Sequence, residues 1–99
     1  MTQTQTVFAI DGEFTIYRTA ELSQALQTWL SSLAGPARLD LSGVSEMDSA
    51  GLQLLLALQR TARERTIALT LAPISPAVRE VLRLTALERQ LSSEPEQTV

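Results

Sequence analysis

Residues 38–52 read Arg38-Leu39-Asp40-Leu41-Ser42-Gly43-Val44-Ser45-Glu46-Met47-Asp48-Ser49-Ala50-Gly51-Leu52. Arg38 to Leu41 alternates polar and apolar side chains, the period-two signal of a strand. Ser42 to Asp48 then reads as a polar loop. From about Ser49 to Arg65 the leucines recur at helical spacing. A strand that passes through a loop into a helix is the repeating unit of an α/β fold.

The same unit recurs on both sides of this stretch. Upstream, Leu22, Ala25, Leu26, Trp29, Leu30 and Leu33 repeat every three to four residues, with Glu21, Gln24, Gln27 and Ser31 opposite. That predicts an amphipathic helix with Thr19 as N-cap, Glu21 in its first turn and Gly35-Pro36 as its stop. Trp29 falls within the stripe and is read as core. Before that helix, Val7-Phe8-Ala9-Ile10 and Phe14-Thr15-Ile16-Tyr17 are short β-favouring runs. Asp11-Gly12-Glu13 between them predicts a hairpin, because both Asp and Gly tolerate positive φ. Downstream, Ile67 to Leu71 is a strand bounded by Ala72-Pro73. Ser75-Pro76 opens a last helix, with a capping side chain and a proline at N1, whose inward stripe is Val78, Val81, Leu82 and Thr85.

The predicted order is β-β-α-β-α-β-α. It implies a mixed sheet of four to five strands: an N-terminal antiparallel hairpin, then parallel β-α-β units with right-handed crossovers, packed with three to four helices. The 99 residues fit one domain, 1–99, with a core over about 7–91. Residues 1–5 and 92–99, including the acidic Glu94-Pro95-Glu96, are polar and aperiodic and are expected to be flexible ends.

Composition narrows the function. Eleven acids against eight bases, all arginine, give a formal charge of −3, the wrong balance for general nucleic-acid binding. There is no cysteine and no histidine, so thiol nucleophiles, thiolate metal sites and the commonest general base are missing. No cofactor is implied and a non-enzymatic protein is expected. An Mg²⁺ site on Asp40, Glu46 and Asp48 is the remaining chemical alternative, against which Asp40 reads as a solvent-facing strand position and Glu46 as a solvated loop residue. No apolar run reaches the roughly 20 residues that span a bilayer, and the first residues lack the pattern of a signal peptide. The expectation is a cytoplasmic protein with no membrane insertion. Arg79 and Arg83 read as a solvated helix face.

The helix after Asp48 carries an oddity. Projected at about 100° per residue, Gly51, Leu54, Leu55, Leu58 and Ala62 share a core-facing side. Leu52 and Leu56 point the other way, among Gln53, Gln59, Arg60 and Arg63, with Ser49 on their side. Either a neighbouring helix covers the two leucines, or they are apolar anchors in a polar rim, as at a docking face. Ser49 likewise has two readings. It caps the helix, or it offers a phosphate site where free backbone N–H groups and the helix dipole favour negative charge.

Residues 39–52 closely resemble the core signature of STAS domains, the family of anti-sigma factor antagonists and of the cytoplasmic domains of sulfate transporters. Gly12 to Tyr17 with Thr19 to Leu22, and Ser75 to Leu82, resemble the family's N-terminal segment and last helix, so the likeness spans about residues 7–91. The resemblance implies the STAS fold and a bacterial phospho-switch acting in signal transduction and transcription regulation. Ser49 would be the phosphoacceptor of an anti-sigma factor that is itself an ATP-dependent serine kinase. The partner-binding residues would be Asp48, Ser49, Leu52, Gln53, Leu56 and Arg60. Near the phospho-site the antagonists usually carry an acid, and this chain has Thr15. The Thr15-Ile16-Tyr17 variant resembles stand-alone STAS proteins of chemotaxis and two-component pathways; in another branch of the family the domain is a small cytoplasmic subunit on the ATPase of a phospholipid transporter. A weak homodimer through the sheet edge is a further partner option.

Overall fold

The computed structural model describes residues 6–85. The expected flexible ends and residues 86–91 of the expected core lie outside the described residues. The order is β1 (Thr6–Phe14), α1 (Thr19–Ser31), β2 (Ala37–Met47), α2 (Ser49–Glu64), β3 (Leu69–Ile74) and α3 (Pro76–Leu84). The α/β class is as expected. The sheet is smaller and simpler: three described strands in the order β1-β2-β3, every pair parallel, in place of a mixed sheet of four to five. Three helices are described, the lower end of the expected number.

The predicted hairpin does not form. Val7 to Phe14 is a continuous strand paired with β2 from Thr6↔Ala37 to Phe14↔Met47. Gly12 does take a positive φ, 80°, but it is a glycine in a bulged strand, where the register slips between Ala9 and Asp11 and again between Gly12 and Glu13. A type I′ turn on Asp11-Gly12 needs positive φ at both central residues, and Gly12 is the lone positive-φ residue in this segment. Thr15 to Tyr17, expected as the end of a second strand, forms the turn into α1.

β2 is the centre of the sheet and of the core. Ala37, Leu39 and Leu41 are buried while Arg38 and Asp40 between them are half-buried. Beyond Leu41 the strand continues to Met47, so most of the expected polar loop 42–48 is strand, and Val44 and Met47 are buried in it. Leu22, Leu26 and Leu30 of α1, Leu55, Leu58 and Ala62 of α2, and Val78 and Leu82 of α3 complete one continuous core. Trp29 packs against its margin, its ring 5.3 Å from that of Phe8 at 51°.

Caps delimit the helices. Ser75 accepts the Val78 N–H at 3.2 Å with Pro76 at the first helical position, as expected. At α1 the cap position is Arg18 rather than Thr19, and no side chain accepts there. α2 ends in a Schellman arrangement: Ile67 N–H donates to the Ala62 carbonyl at 2.8 Å and Thr66 N–H to that of Arg63 at 3.0 Å. Thr66 occupies the left-handed position, φ 56°.

Candidate functional site

Parallel strands in chain order put the carboxyl ends of β1 and β2 side by side, closed by the pair Phe14↔Met47. From there one chain turns into α1 and the other into α2. In open α/β sheets such ends are where ligands and partners bind.

Asp48 ties the two exits together. Its Oδ1 accepts the Gly51 N–H at 3.0 Å and so caps α2, while its Oδ2 accepts the Ile16 N–H at 3.0 Å from the β1–α1 turn. These two bonds, Ile16 first and Gly51 second, hold its carboxyl below the ordinary value against an opposing contribution from desolvation. Asp40 is lowered as well, chiefly by the Ser42 hydroxyl and then the Ser42 N–H, in a small turn of its own.

Because Asp48 is the cap, Ser49 is not. It is the first helical residue, exposed, and its hydroxyl makes no hydrogen bond among the described residues. The capping reading of Ser49 is thereby replaced by a hydroxyl free for another use.

Gly51 allows this arrangement. A Cβ there would overlap the Phe14 carbonyl oxygen and press on Met47 Cγ, so only glycine lets α2 start this close to the end of β1. The same tuck draws Leu52 inward to 6% exposure, and it belongs to the core. Leu52 is therefore corrected from displayed anchor to core residue. Leu56 is half-buried and packs against the core, whereas Gln53 and Arg60 are exposed. What α2 displays from its start is Ser49, Gln53, part of Leu56 and Arg60, a stripe at helical spacing.

Thr15 is buried, 4% exposed, and its hydroxyl donates to Glu13 Oε1 at 3.0 Å. It sits one residue before the amide that Asp48 holds, with its side chain directed away from solvent. Two large apolar residues not singled out from the sequence are exposed beside it. Ile16 is 60% and Tyr17 87% exposed, side by side in the turn bonded to Asp48. Two large apolar residues inside a predicted strand read as core; only the end of β1 at Phe14 makes them conspicuous. Asp11 and Glu13 of β1 and Glu46 of β2 are also exposed.

A separate groove of about 510 Å³ runs between α1 and α2, over Leu26, Leu30, Leu54 and Leu58, with Arg65 at its margin. No described helix is long and apolar enough to cross a membrane. Among the described residues no group of three or more acids lies close enough to hold a metal ion.

These features define a small parallel α/β domain that presents a helix start and an apolar turn at the carboxyl end of its sheet. The chain belongs to the STAS domain family: the family model described as "Mlab, STAS domain" matches residues 1–93. Solved structures share the fold. A sulfate transporter family protein from Wolinella succinogenes is 20% identical, with a TM-score of 0.72 over 90% of this chain and 72% of its own. The anti-sigma factor antagonist SpoIIAA in its unphosphorylated form is 23% identical, with a TM-score of 0.70 over 90% of this chain and 79% of its own. The STAS domain of a SulP transporter from Vibrio cholerae is 18% identical, with a TM-score of 0.69 over 93% of this chain and 71% of its own.

Proposed function

We propose that the chain is a non-enzymatic regulatory module that docks on an ATPase partner through the start of α2, with Ser49 as the phosphoacceptor that switches docking off. One observation carries this reading: Asp48 performs the cap, leaving an exposed, unbonded hydroxyl at the first position of a helix beside exposed Ile16 and Tyr17. A phosphoryl group on Ser49 would add about −1.5 to −2 charges. It would lie next to the Asp48 carboxylate, whose two oxygens are already engaged; the helix start tolerates a phosphate, but the added charge would stand at the docking face. A partner must then bury it, and a loss of about 2.8 kcal/mol weakens binding 100-fold.

The kinase-type anti-sigma factor is the first partner class; its support is the likeness of residues 39–52 to the antagonist signature and the free Ser49 hydroxyl. A second reading, a constitutive subunit on the ATPase of a phospholipid transporter, is supported by Thr15. With no acid at that position and the threonine buried, a kinase that uses such an acid lacks its contact.

Affinity capture of the tagged chain from its host, with mass spectrometry of the Ser49 peptide, tests both. Wild type should retain an ATPase and Ser49→Asp should lose it by a factor of about 100 while unfolding at the same temperature. Equal retention by the two would overturn the switch. A membrane-associated transporter ATPase with unmodified Ser49 selects the second reading.

A further inference from the structure

Arg18 stands at the one place where the bulge of β1, the apolar turn and the start of α1 meet. Its Nη1 donates to the carbonyl oxygen of Asp11 at 2.7 Å and to that of Glu13 at 2.8 Å, one on each side of Gly12. Its Nη2 faces the Glu21 carboxylate at 3.6 Å, one turn into α1. Its own N–H donates to the Thr15 carbonyl at 2.8 Å, closing the turn, and its carbonyl receives the Leu22 N–H at 2.9 Å, opening the helix. The residues between these fixed points are Ile16 and Tyr17.

We propose that Arg18 is the positioning residue of the docking surface: it clamps both ends of the 15–18 turn so that the Ile16 N–H meets Asp48 and the Ile16 and Tyr17 side chains face outward. The proposal rests on the reading of that turn as part of the docking surface. A planar guanidinium suits the task because its donors lie in one rigid fork, so a carbonyl pair and a carboxylate are reached together without losing charge; a lysine ammonium offers a point charge on a flexible stem. The functional gain is pre-organisation. Two mostly exposed side chains held in place before contact are spared much of the ordering cost that binding otherwise incurs. Arg18 touches no partner in this scheme. It acts through the turn and, through the turn, on Asp48.

The test uses the purified full chain and needs no partner. Wild type, Arg18→Ala, Arg18→Lys and Arg38→Ala are compared by NMR for hydrogen exchange of the Ile16 amide and for titration of the Asp48 carboxyl. Arg38 is the control because it too donates from Nη1 to a backbone carbonyl, that of Ala72 at 2.9 Å, in the sheet away from the turn. Arg18→Ala should speed exchange at Ile16 by about tenfold or more, as expected for loss of hydrogen bonds from a charged group. It should also move the Asp48 titration upward toward the ordinary carboxylate value, because the Ile16 N–H is the first cause of its lowering. Arg38→Ala should leave both unchanged. Arg18→Lys should show both changes to a smaller extent, and it carries the test if the alanine variant does not fold. Unchanged exchange and titration in a folded Arg18 variant would overturn the clamp. Since both signals are read on the free chain, their failure is distinct from retained partner binding by Ser49→Asp, which overturns the docking switch alone.

Discussion

Asp48 is the residue on which the site turns, and its chemistry makes a sharp prediction. A carboxylate can accept from both Ile16 and Gly51; an asparagine offers one acceptor and sets an NH₂ against one of two N–H donors. Because its folded-state pKa is depressed, Asp48 adds stability that is fully present above the unfolded value of about 3.9 and is lost as pH falls through the lower folded value. Asp48→Asn should lower stability at neutral pH and flatten the acid limb of the stability curve, measured by urea unfolding between neutral pH and the acid transition. An acid limb as steep as in wild type would show that Asp48 contributes nothing to it. Ser49 and Asp48 were legible as neighbours at a helix start; which of them caps was not. Both residue types cap well, and the choice follows from where the strand ends, one residue before Asp48.

At the scale of elements, the helices were the more legible part. Their apolar stripes give the position of α1, α2 and α3 closely, and Ser75-Pro76 gives the start of the last one. The strands were harder because a bulge and a turn share residue types. Asp11-Gly12 has the composition of a hairpin, but β1 runs on in parallel pairing with β2, a contact between residues far apart in sequence. Leu52 was misread for a related reason: a helical projection assumes one buried stripe, whereas the close start of α2 at Gly51 buries two adjacent residues. The far end of α2 holds a stabilising opportunity. Thr66 takes the left-handed conformation at the Schellman position, costly for a β-branched residue by about 1–2 kcal/mol. Thr66→Gly should raise stability by up to about 1 kcal/mol, somewhat less than the relieved strain because glycine also frees the unfolded chain. Thermal unfolding checks it, and an unchanged or lower midpoint would deny that Thr66 is strained.

At the scale of the whole molecule, the three described strands and three described helices share one core centred on β2. Leu39 is fully buried in the middle strand, paired with Phe8 on one side and Leu71 on the other. Leu39→Ala should cost about 2–5 kcal/mol, a large share of the roughly 5–15 kcal/mol that a domain has in total. Urea unfolding should show a lower midpoint with an unchanged slope; a loss below about 1 kcal/mol would mean that the core closes around the gap. The all-parallel arrangement also gives the molecule a direction. Every described strand starts at one end and finishes at the other, and Ser49, Ile16 and Tyr17 stand at the finishing end. At about 3.3 Å per residue, the nine residues of β1 put Thr6 about 30 Å from that end. A dye, surface linker or reporter protein joined at Thr6 is therefore attached at the opposite pole, where the chain can be tethered with the start of α2 facing outward.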